Sequence, residues 1–181
     1  MKKSIFFIAA GLTASLLVGY TMLSLNLTDQ HKEEKYLPIA KSIIAAEVVD
    51  MDEYGSFYID RKDGMKFVLA LSKEDEKSKQ LKEALQEKIP EDILVVKTNY
   101  KYPLAELKKV NQELSEQMPK LRSNGNDVVS TYIDEAADKV ILDARSVTED
   151  LKTELTNKYG NKVGFHIDPN LSNPTASVVD N

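Results

Sequence analysis

The stretch "SFYID" at residues 56–60 is echoed by "STYID" at residues 130–134, and each leads into a short polar turn and an apolar strand. Around the first copy, Tyr54 to Asp60 alternates as a strand, with Phe57 and Ile59 on one face and Ser56, Tyr58 and Asp60 on the other. "RKDG" (61–64) supplies a hairpin turn whose Asp-Gly pair tolerates positive φ. Met65 to Leu71 returns as a second strand with Phe67, Leu69 and Leu71 toward the core. Ser72 is placed to cap a helix over 73–89, buried along Leu81, Ala84, Leu85 and Ile89; Pro90 stops it, and "ILVVKTNY" (93–100) makes a third strand. The order is ββαβ.

The second copy repeats that order. "VVSTYID" (128–134) is a strand, "EAAD" (135–138) a turn, and "KVILDARS" (139–146) the returning strand with Val140, Leu142 and Ala144 on one face. Thr148 caps a helix carrying Val147, Leu151, Leu155 and Tyr159, and Gly160 fits its C-terminal end. "KVGFHID" (162–168) closes the unit with Val163, Phe165 and Ile167 inward. With one turn residue deleted, Lys66-Phe67-Val68-Leu69 falls on Lys139-Val140-Ile141-Leu142, so an internal repeat explains the echo better than chance does. Between the copies, Leu104, Leu107, Leu114, Met118 and Leu121 give one helix with a single apolar seam, interrupted at Asn111. It is too short for an independent coiled coil and is expected to pack across one or both sheets.

The N-terminus is of another kind. Lys2, Lys3 and Ser4 precede a run without charge from Ile5 to Thr28. About 24 such residues make roughly 36 Å of helix, enough for a hydrocarbon core of about 30 Å. The run is longer than the apolar core of a cleaved signal, and no small-x-small site follows it. Residues 1–27 therefore read as a signal anchor, with a cleaved signal peptide as the alternative. The expected localisation is the cell membrane, single-pass with the C-terminal part outside, or secretion after cleavage. Residues 28–37, "TDQHKEEKYL", read as a polar stalk, and Pro38 as the start of a short amphipathic helix within 28–50.

The chain contains no Cys, which excludes disulfides, thiolate metal sites, a Cys nucleophile and a lipid-bearing Cys. Without Lys2 and Lys3 the 24 basic residues become 22, against 29 acidic ones, interspersed and without a basic patch, so nucleic acid is not an expected partner. His31 and His166 are the only histidines, and no Gly-x-Ser-x-Gly elbow or phosphate loop occurs. His166 alternates with Phe165 and Ile167, which places it on the less buried sheet face. The acids of "DMDEYGSFYID" (50–60) do not have the spacing of a calcium loop. The expectation is no enzyme chemistry, no cofactor, no metal and no small-molecule substrate.

From about residue 40 to residue 169 the chain resembles the pro-region of α-lytic-protease-like and streptogrisin-like secreted serine proteases. The resemblance rests on "GSFYIDRKDGMKFVLAL" (55–71), the helix "YKYPLAELKKVNQEL" (100–114), and "VVSTYIDEAADKVILDA" (128–144) followed by a helix and "YGNKVGFH" (159–166). It implies two small lobes flanking a Tyr-x-x-x-Glu-Leu helix that chaperone and inhibit a protease. The second lobe would extend a sheet by pairing with a protease hairpin, and the C-terminal tail would lie substrate-like in the active site. Here the protease domain is absent: after Asp168 only "PNLSNPTASVVDN" follows.

The sequence thus predicts an α+β fold of two small ββαβ lobes joined by a helix and preceded by the transmembrane segment. Its parts are residues 51–102 and 127–168 for the lobes, 103–122 for the joining helix and 169–181 for a flexible tail. The expected function is an exported, membrane-tethered, non-catalytic binding module that inhibits or assists a secreted chymotrypsin-like serine protease. The alternative is a cell-envelope sensor or scaffold with other protein partners. Partner-binding candidates are Tyr58 and Tyr132, at equivalent outward positions, then His166, and Ala176, Ser177, Val178 and Val179 in the tail. For strand addition, the candidates are strands 139–146 and 163–168.

Overall fold

The computed structural model describes residues 28–172. The proposed anchor and the tail candidates Ala176, Ser177, Val178 and Val179 lie outside the described residues. Among the described residues, no helix is long and apolar enough to cross a membrane.

The described chain is α+β, with two three-stranded sheets of identical strand order. In the first, β1 (Gly55–Asp60) pairs antiparallel with β2 (Lys66–Leu71), and helix α2 (Glu76–Lys88) carries the chain to β3 (Leu94–Lys97), parallel to β2. In the second, β4 (Asp127–Asp134) pairs antiparallel with β5 (Lys139–Ser146), and α5 (Glu149–Tyr159) leads to β6 (Val163–Ile167), parallel to β5. The registers correspond as well as the order: Ile59 faces Phe67 as Ile133 faces Val140, and Phe67 faces Leu94 as Val140 faces Val163. β2 and β5 are central, which rules out residues 139–146 as an accepting edge.

Each lobe buries one sheet face under its own helix. Phe67, Leu69 and Leu71 pack with Leu81 and Leu85 in the first; Val140, Leu142 and Ala144 pack with Leu151, Leu155 and Tyr159 in the second. The joining segment breaks into α3 (Leu104–Glu116) and α4 (Met118–Leu121) instead of forming one helix, because Pro119 cannot donate the hydrogen bond that would continue α3. Leu107, Val110 and Leu114 of α3 belong to the core of the second lobe. Ile167 is 42% exposed, contrary to its expected inward position, because β6 outruns the helices that cover Val163 and Phe165.

A helix, α1, occupies residues 28–47 and passes through Pro38. The polar stretch 28–37 is therefore helix and not stalk. Tyr36, Leu37, Ala40, Ile43 and Ile44 lie against the first core, and this burial offsets the bond that Pro38 cannot make. Polar contacts fix the same helix: Asp29 Oδ2 accepts from Met65 N at 3.2 Å, and Glu33 pairs with Arg61.

Candidate binding face

The two lobes use their second sheet faces differently. In the first lobe Ser56 and Tyr58 share this face with Ala70 and Val68. Ser56, Val68 and Ala70 are all but fully buried, although none lies under α2. The β4–β5 turn of the second lobe closes over them. Ser56 Oγ donates to Glu135 Oε2, and Tyr100 is buried near Tyr58, Glu135 and Asp138. Lys101 N adds a 2.7 Å bond to Asp138 Oδ2, and Lys108 pairs with Asp52.

In the second lobe the same face is open. Tyr132, the counterpart of Tyr58, is 42% exposed and pairs across the strands with Ile141, which in turn faces Gly164. A Cβ on Gly164 would come within 2.9 Å of Ile141 Cδ1, so the missing side chain is the space into which Ile141 leans. The joining helix does not cover Tyr132, since α3 packs on the opposite face. Tyr58 is half-buried at the lobe junction, where Lys97 Nζ donates to its hydroxyl at 3.0 Å. The structure thus brings Tyr132 and His166 onto one surface and sets Tyr58 apart.

His166 is held by a residue that sequence reasoning did not single out. Its Nδ1 lies 2.8 Å from Asp143 Oδ1, while Ser130 Oγ reaches Asp143 Oδ2 at 3.3 Å. The order across the sheet is Ser, Asp, His, with the carboxylate in the middle. A serine nucleophile needs the imidazole as its base, with the carboxylate behind the ring. Here the Ser130 hydroxyl donates to the carboxylate instead, an arrangement that fixes the ring on the sheet. The alternation of "KVILDARS" does put Asp143 on the outward face, but its neighbours depend on the pairing of three strands. Among the described residues no three His, Cys, Asp or Glu side chains stand close enough to hold a metal ion.

The edges of this sheet differ too. Arg122 Nε and Nη2 donate to the carbonyls of Val128 and Val129 at 2.8 and 2.9 Å, which covers the start of β4. At β6, Asp168 N donates to Ala144 O at 3.0 Å, so the even-numbered residues turn their backbone groups to β5. The backbone groups of Val163, Phe165 and Ile167 consequently point away from the sheet. β6 has no Lys or Pro, the residues that commonly block an edge.

A concavity of about 720 Å³ lies at the lobe junction between Lys97, Tyr100, Lys101, Tyr102, Asp138 and Asn161. Beneath it the Tyr100 hydroxyl and Asp138 Oδ1 are buried without a hydrogen-bond partner. Burial raises the pKa of the Tyr100 phenol, helped by the negative charge of Asp138. No protein-family model matches the chain, and no curated protein matches it in sequence.

Proposed function

We propose that the chain is an exported protein-binding module of the protease-prodomain type, held at a membrane by residues 4–27 and without chemistry of its own. The observation that carries this reading is the open sheet of the second lobe. It combines an exposed aromatic, the edge strand β6 and a histidine hydrogen-bonded to Asp143, whereas the equivalent face of the first lobe is closed. An extended segment adding to β6 would gain main-chain hydrogen bonds at Val163, Phe165 and Ile167, with Tyr132 and His166 contacting its neighbouring residues. The partner favoured by the resemblance is a separate secreted serine protease of the chymotrypsin type.

Inhibition assays of such proteases with residues 29–181 test the reading, repeated with Phe165→Pro to block the β6 edge. Inhibition that is lost in the variant supports it. Failure to bind any protease of this class removes the protease as partner.

A further inference from the structure

The chain around β6 reads alike in kind from both ends. On either side of Phe165, Gly164 answers the bulky His166, Val163 matches Ile167, and the base Lys162 answers the acid Asp168. A two-fold interface sets each residue of one copy against a fixed residue of the other, so it demands this kind of self-complementarity. With the axis at Phe165, β6 runs antiparallel to β6 of a second copy. Phe165 then faces Phe165, Val163 faces Ile167, Gly164 faces His166 and Lys162 faces Asp168. Among the described residues, no hydrogen bond reaches the outward backbone groups of Val163, Phe165 or Ile167.

We propose that two copies of the chain join by antiparallel pairing of β6 in this register, making one continuous sheet of the two second lobes. The backbone selects the register. Outward residues face outward residues, so the Phe165 pair and both Val163–Ile167 pairs exchange N–H···O bonds, about six in all. A shift by one residue sets outward groups against groups already bonded to β5. A shift by two in one direction brings Pro169, which has no N–H, opposite Val163. The opposite shift sets Ile167 against Asn161, which lies in the 3-10 turn Gly160–Lys162 and not in the strand. The side chains agree with the same choice. Ile167, 42% exposed where β6 outruns its helices, comes beside Val163 of the second copy, which is 7% exposed. His166 comes opposite Gly164 and meets no side chain. Lys162, whose Nζ also lies 2.7 Å from Glu106 Oε1, comes opposite Asp168, so opposite charges meet at both ends. β6 has five residues, which makes this an interface of the small, transient class, with a dissociation constant of roughly 10 µM to 1 mM.

Self-pairing occupies the edge that a protease strand would use, so such a partner must displace the second copy. Neither idea depends on the other, and the test needs no partner. Amide hydrogen exchange of the full, unsubstituted chain in detergent micelles is compared at about 5 µM and about 1 mM. On concentrating, the Val163, Phe165 and Ile167 amides are expected to exchange about fivefold more slowly or better, while those of Gly164 and His166, already bonded to β5, keep their rates. Rates at the three amides that do not change with concentration overturn the proposal, as do dimers that leave these amides unprotected. The chain has no native Cys, so a single introduced thiol reports contact between copies. Phe165→Cys sets two thiols at a hydrogen-bonded pair, with Cα atoms about 5.5 Å apart and within the disulfide range. Ile167→Cys leaves its two thiols about 14 Å apart along the strands. Under mild oxidation Phe165→Cys is expected to cross-link about tenfold faster than Ile167→Cys, although Ile167 is the more exposed side chain. Random collision gives the reverse order, and equal rates or faster cross-linking at 167 overturn the register.

Discussion

Asp138 has φ of 58°, a left-handed conformation that costs a residue with a Cβ but is tolerated by Asp and Asn. Its carboxylate repays this by accepting the backbone N–H of Lys101, tying the second lobe to the strand exit of the first. Asp138→Ala removes the acceptor and keeps the strain, so a loss of about 2 kcal/mol is expected in denaturant melts, with Asp138→Asn losing clearly less. Three residues away, burial raises the pKa of Glu135, Lys108 lowers it and Asp52 raises it. The folded carboxyl thus holds its proton more tightly than the unfolded one, whose ordinary value is 4.5. That stabilisation is complete below the unfolded value and is lost as pH rises through the folded one. Melts should therefore show stability decreasing as pH rises above 4.5, and Glu135→Gln should flatten that slope while still accepting from Ser56. A slope unchanged in the variant would assign the pH dependence elsewhere. None of this was legible beforehand, because "EAAD" reads as an ordinary solvated turn until another lobe is laid against it.

Helix ends were legible to within a few residues, and the misses have local causes. Thr148 caps α5 as its sequence suggests, with its Oγ1 accepting from Leu151 N at 3.3 Å. Ser72 does not cap α2, since its hydroxyl donates to Tyr54 O at 3.0 Å and ties β2 to the start of β1. The cap is Asp75, which accepts from Ser78 N at 2.9 Å while Ser78 Oγ accepts from Asp75 N at the same distance. Asp75→Ala should cost about 1 kcal/mol and shorten α2, as read by hydrogen exchange. Ser72→Ala should leave exchange in α2 unchanged. The seam of the joining helix was visible as leucine spacing, and its break was marked by Pro119. Which sheet it would serve was not. Leu107 is fully buried in the second core, so Leu107→Ala is expected to destabilise by about 2–5 kcal/mol. The exchange protection lost should be that of β4 and β5, more than that of β1 and β2.

At the scale of the molecule, the repeat made most of the fold readable. A period of two and a matched turn fix strand register, and register fixes which side chains face inward. That logic gave Phe57, Ile59 and Ile133 their faces and made Tyr58 and Tyr132 equivalent. It could not show that one of them would be closed off by the other lobe, because docking between lobes depends on surfaces that no single period describes. For the same reason the site was only half visible: Tyr132 and His166 stood out by type, whereas Asp143, Ile141 and Gly164 acquire meaning from their neighbours across strands. The junction itself offers a test. Ser56→Ala leaves the Glu135 carboxylate half-buried without its hydroxyl donor, at an expected cost of about 1–3 kcal/mol near neutral pH. The accompanying loss of amide protection should fall along both β1 and the β4–β5 turn.

The path of α1 bears on how such a molecule would stand on a surface. Thr28 enters a helix whose next residue, Asp29, is already bonded to Met65 just after the β1–β2 turn. An anchor ending at residue 27 would leave no slack, and the hairpin tip bearing Arg61 and Lys62 would be pressed against the lipid headgroups. The protein would then be mounted on a bracket and not moored by a rope. It could meet only those partners that come within its own height of the bilayer, and it would meet them in one orientation.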